Sequence, residues 1–240
     1  RLRGRGKAAA LRTLPRSALQ GFSMRILALD GSLARASAAL WADGAVLARR
    51  AVTGDRVQPT VLPPMAEELL RDGGALDAVA VVVGPGGFTG LRAAISLAEG
   101  IALGRGIPVI GVTTGEALAA AVPEALRAGR AAWAAIDTKR GRIALERMGA
   151  GSLAAEAPPI VLEETALPRA DGPVAIMGDA APQVAARLLA RDGGDVVLTD
   201  SRLPDAGAAA LVAALRLAGR LPPRGAAPLY AEPPAVRLPG

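Results

Sequence analysis

The stretch Ala78-Val79-Ala80-Val81-Val82-Val83-Gly84-Pro85-Gly86-Gly87-Phe88-Thr89-Gly90-Leu91-Arg92 decides the fold. Six consecutive apolar residues bounded by a turn signal read as a buried strand. Glycine and proline then break the run, and a helix is predicted over residues 91–103, stopped by Gly104 and Gly106. Glycines permit close backbone approach and a helix N-terminus attracts anions, so the loop could cradle a phosphate. A Walker loop, however, needs Gly-Lys-Ser/Thr where this chain has Gly90-Leu91-Arg92, and a dinucleotide fingerprint needs glycine where Thr89 stands. By spacing alone, a structural turn is the preferred reading.

Outward from this unit the pattern repeats itself in kind. Upstream, Ile26-Leu27-Ala28-Leu29, residues 36–41 and residues 45–52 read as three strands, with Asp43-Gly44 as a hairpin turn. Pro63 and Pro64 mark the expected start of a helix carrying Met65, Leu69 and Leu70, which ends at Asp72-Gly73-Gly74. Glu67 and Glu68 face away from its apolar side. Downstream, Ile107-Pro108-Val109-Ile110 opens a strand, and Thr113 or Thr114 caps a helix over 116–121 with Glu116 in its first turn. Residues 24–122 therefore read β-β-β-α-β-α-β-α. A second block holds strands over 131–137, 142–148, 174–177 and 195–198 and helices over 181–190 and 204–218, with 149–167 undetermined. Residues 221–240 carry six prolines and read as an extended, unpacked arm. The division expected is a basic extension over 1–23, a lobe over 24–124, a smaller lobe over 125–220 and the arm over 221–240. No fixed-period repeat is visible, and the abundant alanine reads as compositional bias.

The 240 residues contain no His and no Cys, which excludes the usual zinc sites, a Ser-His-Asp triad and a thiol nucleophile. The formal charge is +6, but it is not spread over the chain. Arg1, Arg3, Arg5, Lys7, Arg12 and Arg16 are six cations in the first 23 residues, with no acid among them. Removing those six from the chain's 28 cations leaves 22, against 22 acids. The basic segment could bind RNA or an anionic membrane, act as a presequence, or be leader translated ahead of Met24; the last is the favoured reading, with the segment solvated and disordered. Beyond it the aromatics are Trp41, Phe88, Trp133 and Tyr230, too few for the stacking platforms of single-strand RNA readers. No apolar run approaches the ~18 residues needed to span a bilayer.

Three features could carry a function. Asp30-Gly31-Ser32 could hold a Mg-phosphate with its carboxylate and hydroxyl, and Asp137-Thr138-Lys139-Arg140 could be its counterpart; both are also ordinary turn sequences. In the helix over 91–103, Ser96, Gly100 and Gly104 form a stripe of small residues flanked by Ala93, Leu97 and Ile101. Such a stripe lets either another helix or the chain's own sheet approach closely.

The run Val83-Gly84-Pro85-Gly86-Gly87-Phe88-Thr89-Gly90-Leu91-Arg92 resembles the signature of the TsaB/YeaZ family, G-P-G-S-F-T-G-L-R. Its flanks are similar too: Ile26 to Asp30, residues 62–70, Gly106-Ile107-Pro108-Val109-Ile110-Gly111-Val112 with Glu116-Ala117-Leu118, Ala135-Ile136-Asp137 with Arg140-Gly141, and Pro228-Leu229-Tyr230 followed by Pro233. The resemblance implies a two-lobed α/β fold with mixed sheets, of the actin-like ATPase and ribonuclease-H-like kind. It implies a cytoplasmic, non-catalytic subunit, without a cofactor or metal, for tRNA N6-threonylcarbamoyladenosine synthesis at position 37. The implied partners are a catalytic TsaD-type paralogue, bound largely through the first two helices, a TsaE-type ATPase, and tRNA through the complex, with a homodimer possible for the chain alone and no membrane. Transferred to this chain, the interface residues are Met65, Leu69, Leu70, Ala93, Leu97, Gly100, Ile101 and Gly104. The chain departs from the family pattern at Gly87 (usually Ser), Gln58 (commonly His), Gly31 in Asp30-Gly31-Ser32 (commonly Thr), Pro63 (usually apolar and helical) and Glu99 (frequently Lys). The rival reading is an actin-like phosphotransferase or ATPase using Asp30 and Asp137 around a Mg-nucleotide.

Overall fold

The computed structural model describes residues 24–231; the basic segment 1–23 and the end of the arm, with Pro233, lie outside the described residues. Strand β1 (Arg25–Leu33) runs antiparallel to β2 (Arg35–Ala42), which runs antiparallel to β3 (Ala45–Thr53). On its other side β1 runs parallel to β4 (Ala78–Gly84), and β4 parallel to β5 (Val109–Thr113). The sheet order is β3-β2-β1-β4-β5. Helix α1 (Gln58–Leu69) connects β3 to β4, α2 (Phe88–Arg105) connects β4 to β5, and α3 (Thr114–Ala121) follows β5. This is the mixed sheet expected, an antiparallel meander continued by two parallel strands.

The two-residue period of the strands sorts the side chains. Leu27, Leu29, Val79, Val81 and Val83 pack on one face against Leu62, Met65 and Leu69 of α1 and Leu91, Ala94, Ile95, Ala98 and Ala102 of α2. Ile26, Ala28, Ala80 and Val82 point the opposite way, into a second core.

After a short helix α4 (Glu124–Arg127), a second sheet repeats the first. It contains β6 (Ala131–Asp137), β7 (Ile143–Met148), β8 (Ile160–Leu162), β9 (Val174–Met177) and β10 (Val196–Leu198), in the order β10-β9-β6-β7-β8. Strands β6, β7 and β8 are antiparallel neighbours, whereas β6, β9 and β10 are parallel. Strand for strand this is the first sheet again, so an internal repeat exists in topology that no sequence period betrays. Helix α5 (Ala181–Asp192) covers the outer face through Val184, Ala185 and Leu188. Where the first half has α1, the second has only a 3₁₀ turn, Glu164–Ala166.

The last helix, α6 (Ala206–Leu217), follows the second sheet but packs on β1 and β2 of the first, while α3 of the first half reaches β6 and β7 of the second. The two helices touch, and together they form the layer between the sheets. That layer is rich in alanine, with Ala117, Ala119, Ala120, Ala206, Ala208, Ala209, Ala210, Ala213 and Ala214 beside Leu118, Leu211, Val212 and Leu215. The alanines are therefore not idle bias: small side chains let two helices and two sheets close on one another.

Two expectations are corrected. Helix α1 begins at Gln58, so Pro63 and Pro64 lie inside it. Neither proline has an N–H, but both are exposed, and so are Pro59 and Thr60, whose carbonyls would have accepted those bonds and can turn to water instead. The arm is also packed over 221–231: it forms no regular element, yet Leu221, Ala226 and Leu229 lie against the two cores.

Candidate functional site

The glycine loop is where β4 hands over to α2. Its first residues, Gly84 and Pro85, are buried and joined by a cis peptide. Gly87 N–H donates to Ser32 O at 2.7 Å, and Thr114 Oγ1 donates to Pro85 O at 2.7 Å. Gly31 and Gly90 touch backbone to backbone: a Cβ on Gly31 would lie 2.7 Å from Gly90 O. Gln58 closes the remaining side, buried against Gly90, with Nε2 donating to Leu33 O at 2.8 Å. The space a phosphate would need is thus occupied by Gly31 and Ser32, near the end of the chain's own β1. Of the two sequence readings, the structural turn is the one the geometry bears. Gly87, Phe88, Thr89 and Arg92 remain exposed on the rim, Gly86 is half-buried, and Gly90 and Leu91 are buried.

Asp30 sits beneath this loop with no exposed surface. Ser32 N–H and Oγ–H both donate to its Oδ1, at 2.9 and 2.7 Å, and its Oδ2 accepts no bond from a described residue. Burial pushes its pKa from 3.8 up to about 6; the Ser32 hydrogen bonds and the Arg35 charge pull the other way, and the Asp205 charge adds to the rise. Asp137 ends the corresponding strand of the second sheet, and its surroundings are the reverse. It is half-exposed, its Oδ1 accepts Lys139 N–H at 2.7 Å, its Oδ2 pairs with Lys139 Nζ at 3.0 Å, and its own N–H donates to Asp179 at 2.9 Å. It lines an open polar cleft of about 450 Å³ with Lys139, Gly141, Arg142, Ile143, Glu164 and Gln183. Asp30 and Ser32 are not among the residues lining this cleft. Among the described residues no group of three or more His, Cys, Asp or Glu could hold a metal ion.

The outer face of α1 and α2 is the second candidate. The stripe on α2 does not pack on its own sheet: that role belongs to Leu91, Ala94, Ile95, Ala98 and Ala102. Ser96, Gly100 and Gly104 face outward, and a Cβ on either glycine would meet nothing within 4 Å. Ala93, Leu97 and Ile101 flank them half-buried, and Leu103 is 86% exposed. Between Ala93 and Gly104 the one charged residue is Glu99. The interface expectation for α1 needs correction: Met65 and Leu69 are 8% and 5% exposed and face the core, because they occupy the same helical side as Leu62 and Ala66. Leu70 is half-buried at the helix end. What α1 presents outward is Pro63, Pro64, Glu67 and Glu68.

One polar cluster escaped the sequence. Glu116 on α3 closes a capping box with Thr113, which resolves the cap position. Its other oxygen pairs with Arg216 of α6 at 2.6 Å, both groups being almost fully buried. Beside it, Glu146 of β7 accepts Gly115 N–H at 2.9 Å, so the two halves meet through a buried pair of acids. The sequence offered Thr113 or Thr114 as the cap with Glu116 in the first turn; the pairing of Glu116 with a residue 100 positions away was not visible in it.

A family model described as TsaD: tRNA N6-adenosine threonylcarbamoyltransferase matches residues 59–147. The tRNA threonylcarbamoyladenosine biosynthesis protein TsaB of Escherichia coli (strain K12) is 42% identical over 94 residues, 38% of this chain and 41% of the relative. The protein of the same name from Haemophilus influenzae is 33% identical over 125 residues, 50% of this chain and 52% of the relative. The chain thus aligns with about half the length of these curated relatives. The solved structure of YeaZ from Pseudomonas aeruginosa superposes with a TM-score of 0.70 at 25% identity, covering 86% of this chain and 99% of that one. No helix among the described residues is long and apolar enough to cross a membrane. By partial sequence matches to TsaB proteins and by a superposition on YeaZ that covers most of the chain, this chain is similar to TsaB/YeaZ proteins.

Proposed function

We propose that this chain is the non-catalytic dimerisation and activation partner of a TsaD-type threonylcarbamoyltransferase in N6-threonylcarbamoyladenosine modification of tRNA A37. The observation that carries the reading is the outer face of α2, where Ser96, Gly100 and Gly104 leave an apolar, unobstructed strip alongside Leu97, Ile101 and Leu103. A second helix can settle on such a strip at close range. The sealed Asp30 and the absence of His from the chain fit a subunit that leaves the chemistry to its partner. In this reading the pair works in the cytoplasm with a TsaE-type ATPase, reaches tRNA as a complex, and the chain alone can pair with itself.

The test is to mix the purified chain with the TsaD-type subunit and follow both elution and the modified nucleoside. Co-elution, together with product that forms only when both subunits are present, is the expected result. Separate elution, or equal product from the TsaD-type subunit alone, would overturn the reading.

A further inference from the structure

Residues 221–231 form a strap that runs from the layer between the sheets to the start of α2. At its root Arg216 Nε donates to Pro222 O at 2.8 Å. It then crosses the first sheet's edge, where Gly111 N–H donates to Arg224 O at 2.9 Å. Leu229 N–H donates to Val83 O at 2.7 Å, and Leu229 O lies where a Cβ on Gly84 would be. Gly84 has φ +116, so the loop's first glycine is required twice, by its backbone conformation and by the strap lying on it. The strap ends with Tyr230 stacked on Phe88, ring centroids 5.3 Å apart, while the Arg92 guanidinium lies 5.0 Å from the Phe88 centroid.

Phe88 is the first residue of α2, and the end of that helix lacks the usual fixtures. Its N-cap is Gly87, which has no side chain to accept the orphan N–H groups, and no acid stands in the first turn. Arg92 adds a cation where the helix dipole favours an anion. Other contacts hold this turn: Gly90 against Gly31 and Gln58, Leu91 in the core, the Gly87–Ser32 bond and, at the surface, the Tyr230–Phe88–Arg92 stack. Phe88 and Tyr230 keep 47% and 36% of their surface exposed, so the stack lies at the surface rather than in the core.

We infer that Tyr230, acting through Phe88, is a positioning residue that fixes the first turn of α2 and thereby the face with which the chain docks on its catalytic partner. The docking half rests on the function proposed above; the positioning half does not. The test compares the full chain with Tyr230→Ala and Tyr230→Phe by amide hydrogen exchange and by titration against the TsaD-type subunit. Tyr230→Ala should speed exchange at residues 91 and 92, whose N–H groups close the first turn, about two- to tenfold, the range an aromatic pair is worth, and weaken pairing by a similar factor. Exchange in β1 and β6 should be unchanged, and Tyr230→Phe should retain the wild-type values, because the ring and not the hydroxyl makes the contact. Unchanged exchange at 91 and 92 in Tyr230→Ala would overturn the proposal, and so would faster exchange with unaltered pairing. If the wild-type chain itself fails to pair, the partner reading falls and takes the docking half with it, while the exchange data still decide the positioning half.

Discussion

Helices α2 and α5 occupy the same place in the two halves of the molecule, each on the outer face of a sheet with the same strand order. Their inner faces are alike: Leu91, Ala94, Ile95 and Ala98 in one, Ala181, Val184, Ala185 and Leu188 in the other. Their outer faces are not. At the same i, i+4, i+8 spacing α5 presents Gln183, Arg187 and Arg191, and α2 presents Ser96, Gly100 and Gly104. The first set is an ordinary solvated surface. The second costs stability, since each exposed helical glycine is about 1 kcal/mol worse than alanine, and it gains no packing in return within the chain. The fold is the same in both places, so the fold does not ask for the bare strip. That difference is the physical argument for reading α2 as a docking element.

The halves also differ in the acid each brings to the seam between them. Glu116 has a cation, Arg216, at 2.6 Å; Glu146 has a backbone N–H. Removing a charge partner from a buried pair strands the other charge, so Glu116→Ala should lower unfolding free energy by about 3–5 kcal/mol in denaturant titrations. A loss under 1 kcal/mol would mean that the seam is wetter than its burial implies. Glu146 should behave differently, through its proton. Burial, with the Glu116 charge adding, pushes its pKa from 4.5 up to about 7, against the pull of Thr113, Gly115 and Arg224. Below about pH 4.5 the carboxyl is protonated in folded and unfolded chains alike and has no effect. Between there and pH 7 unfolding releases a proton, so stability falls as pH rises, by about 3 kcal/mol in all. Glu146→Gln should flatten that part of the stability profile, and an unchanged slope would reassign it to other groups.

The helix comparison is broken most directly by filling the strip. Gly100→Leu should weaken pairing with the TsaD-type subunit by about a hundredfold, close to 2.7 kcal/mol, through steric exclusion of the partner. The variant should stay folded, because the new side chain projects into open space. Arg187→Leu on α5 is the matched control and should leave pairing unaltered. Equal behaviour of the two variants would erase the distinction between the helices.

Most of the architecture was legible because it is written locally. The run Ala78 to Val83, the turn at Asp43-Gly44 and a threonine cap ahead of Glu116 each determine structure within a few residues, although the choice of Thr113 over Thr114 came from the structure. The stripe on α2 was legible too, but not its direction, since Gly and Ala tolerate either a core or a surface. Met65 and Leu69 were misassigned for a related reason: an apolar side chain at helical spacing reads the same whether it faces its own sheet or a partner. What stayed hidden was non-local. The approach of Leu229 to Gly84, the Glu116–Arg216 pair and the crossing of α3 and α6 between the sheets join residues about 100 or more apart, and no periodicity records them.

The smallest expected effect is also the one that separates stability from docking most cleanly. Gly100→Ala adds a single methyl where nothing lies within 4 Å, in a helix interior where φ is already helical. Alanine loses less backbone entropy on folding than glycine, so the variant should gain about 1 kcal/mol, seen as a rise of about 2–4 °C in Tm for a chain of this size. Arg187→Gly at the matched place on α5 should lose a similar amount. If the strip exists for close approach of a second helix, the more stable Gly100→Ala chain should nevertheless pair more weakly, by a few-fold, while the less stable Arg187→Gly chain pairs normally. Stability and pairing would then move in opposite directions on one helix and independently on the other, which no account of Gly100 as a mere helix defect can produce.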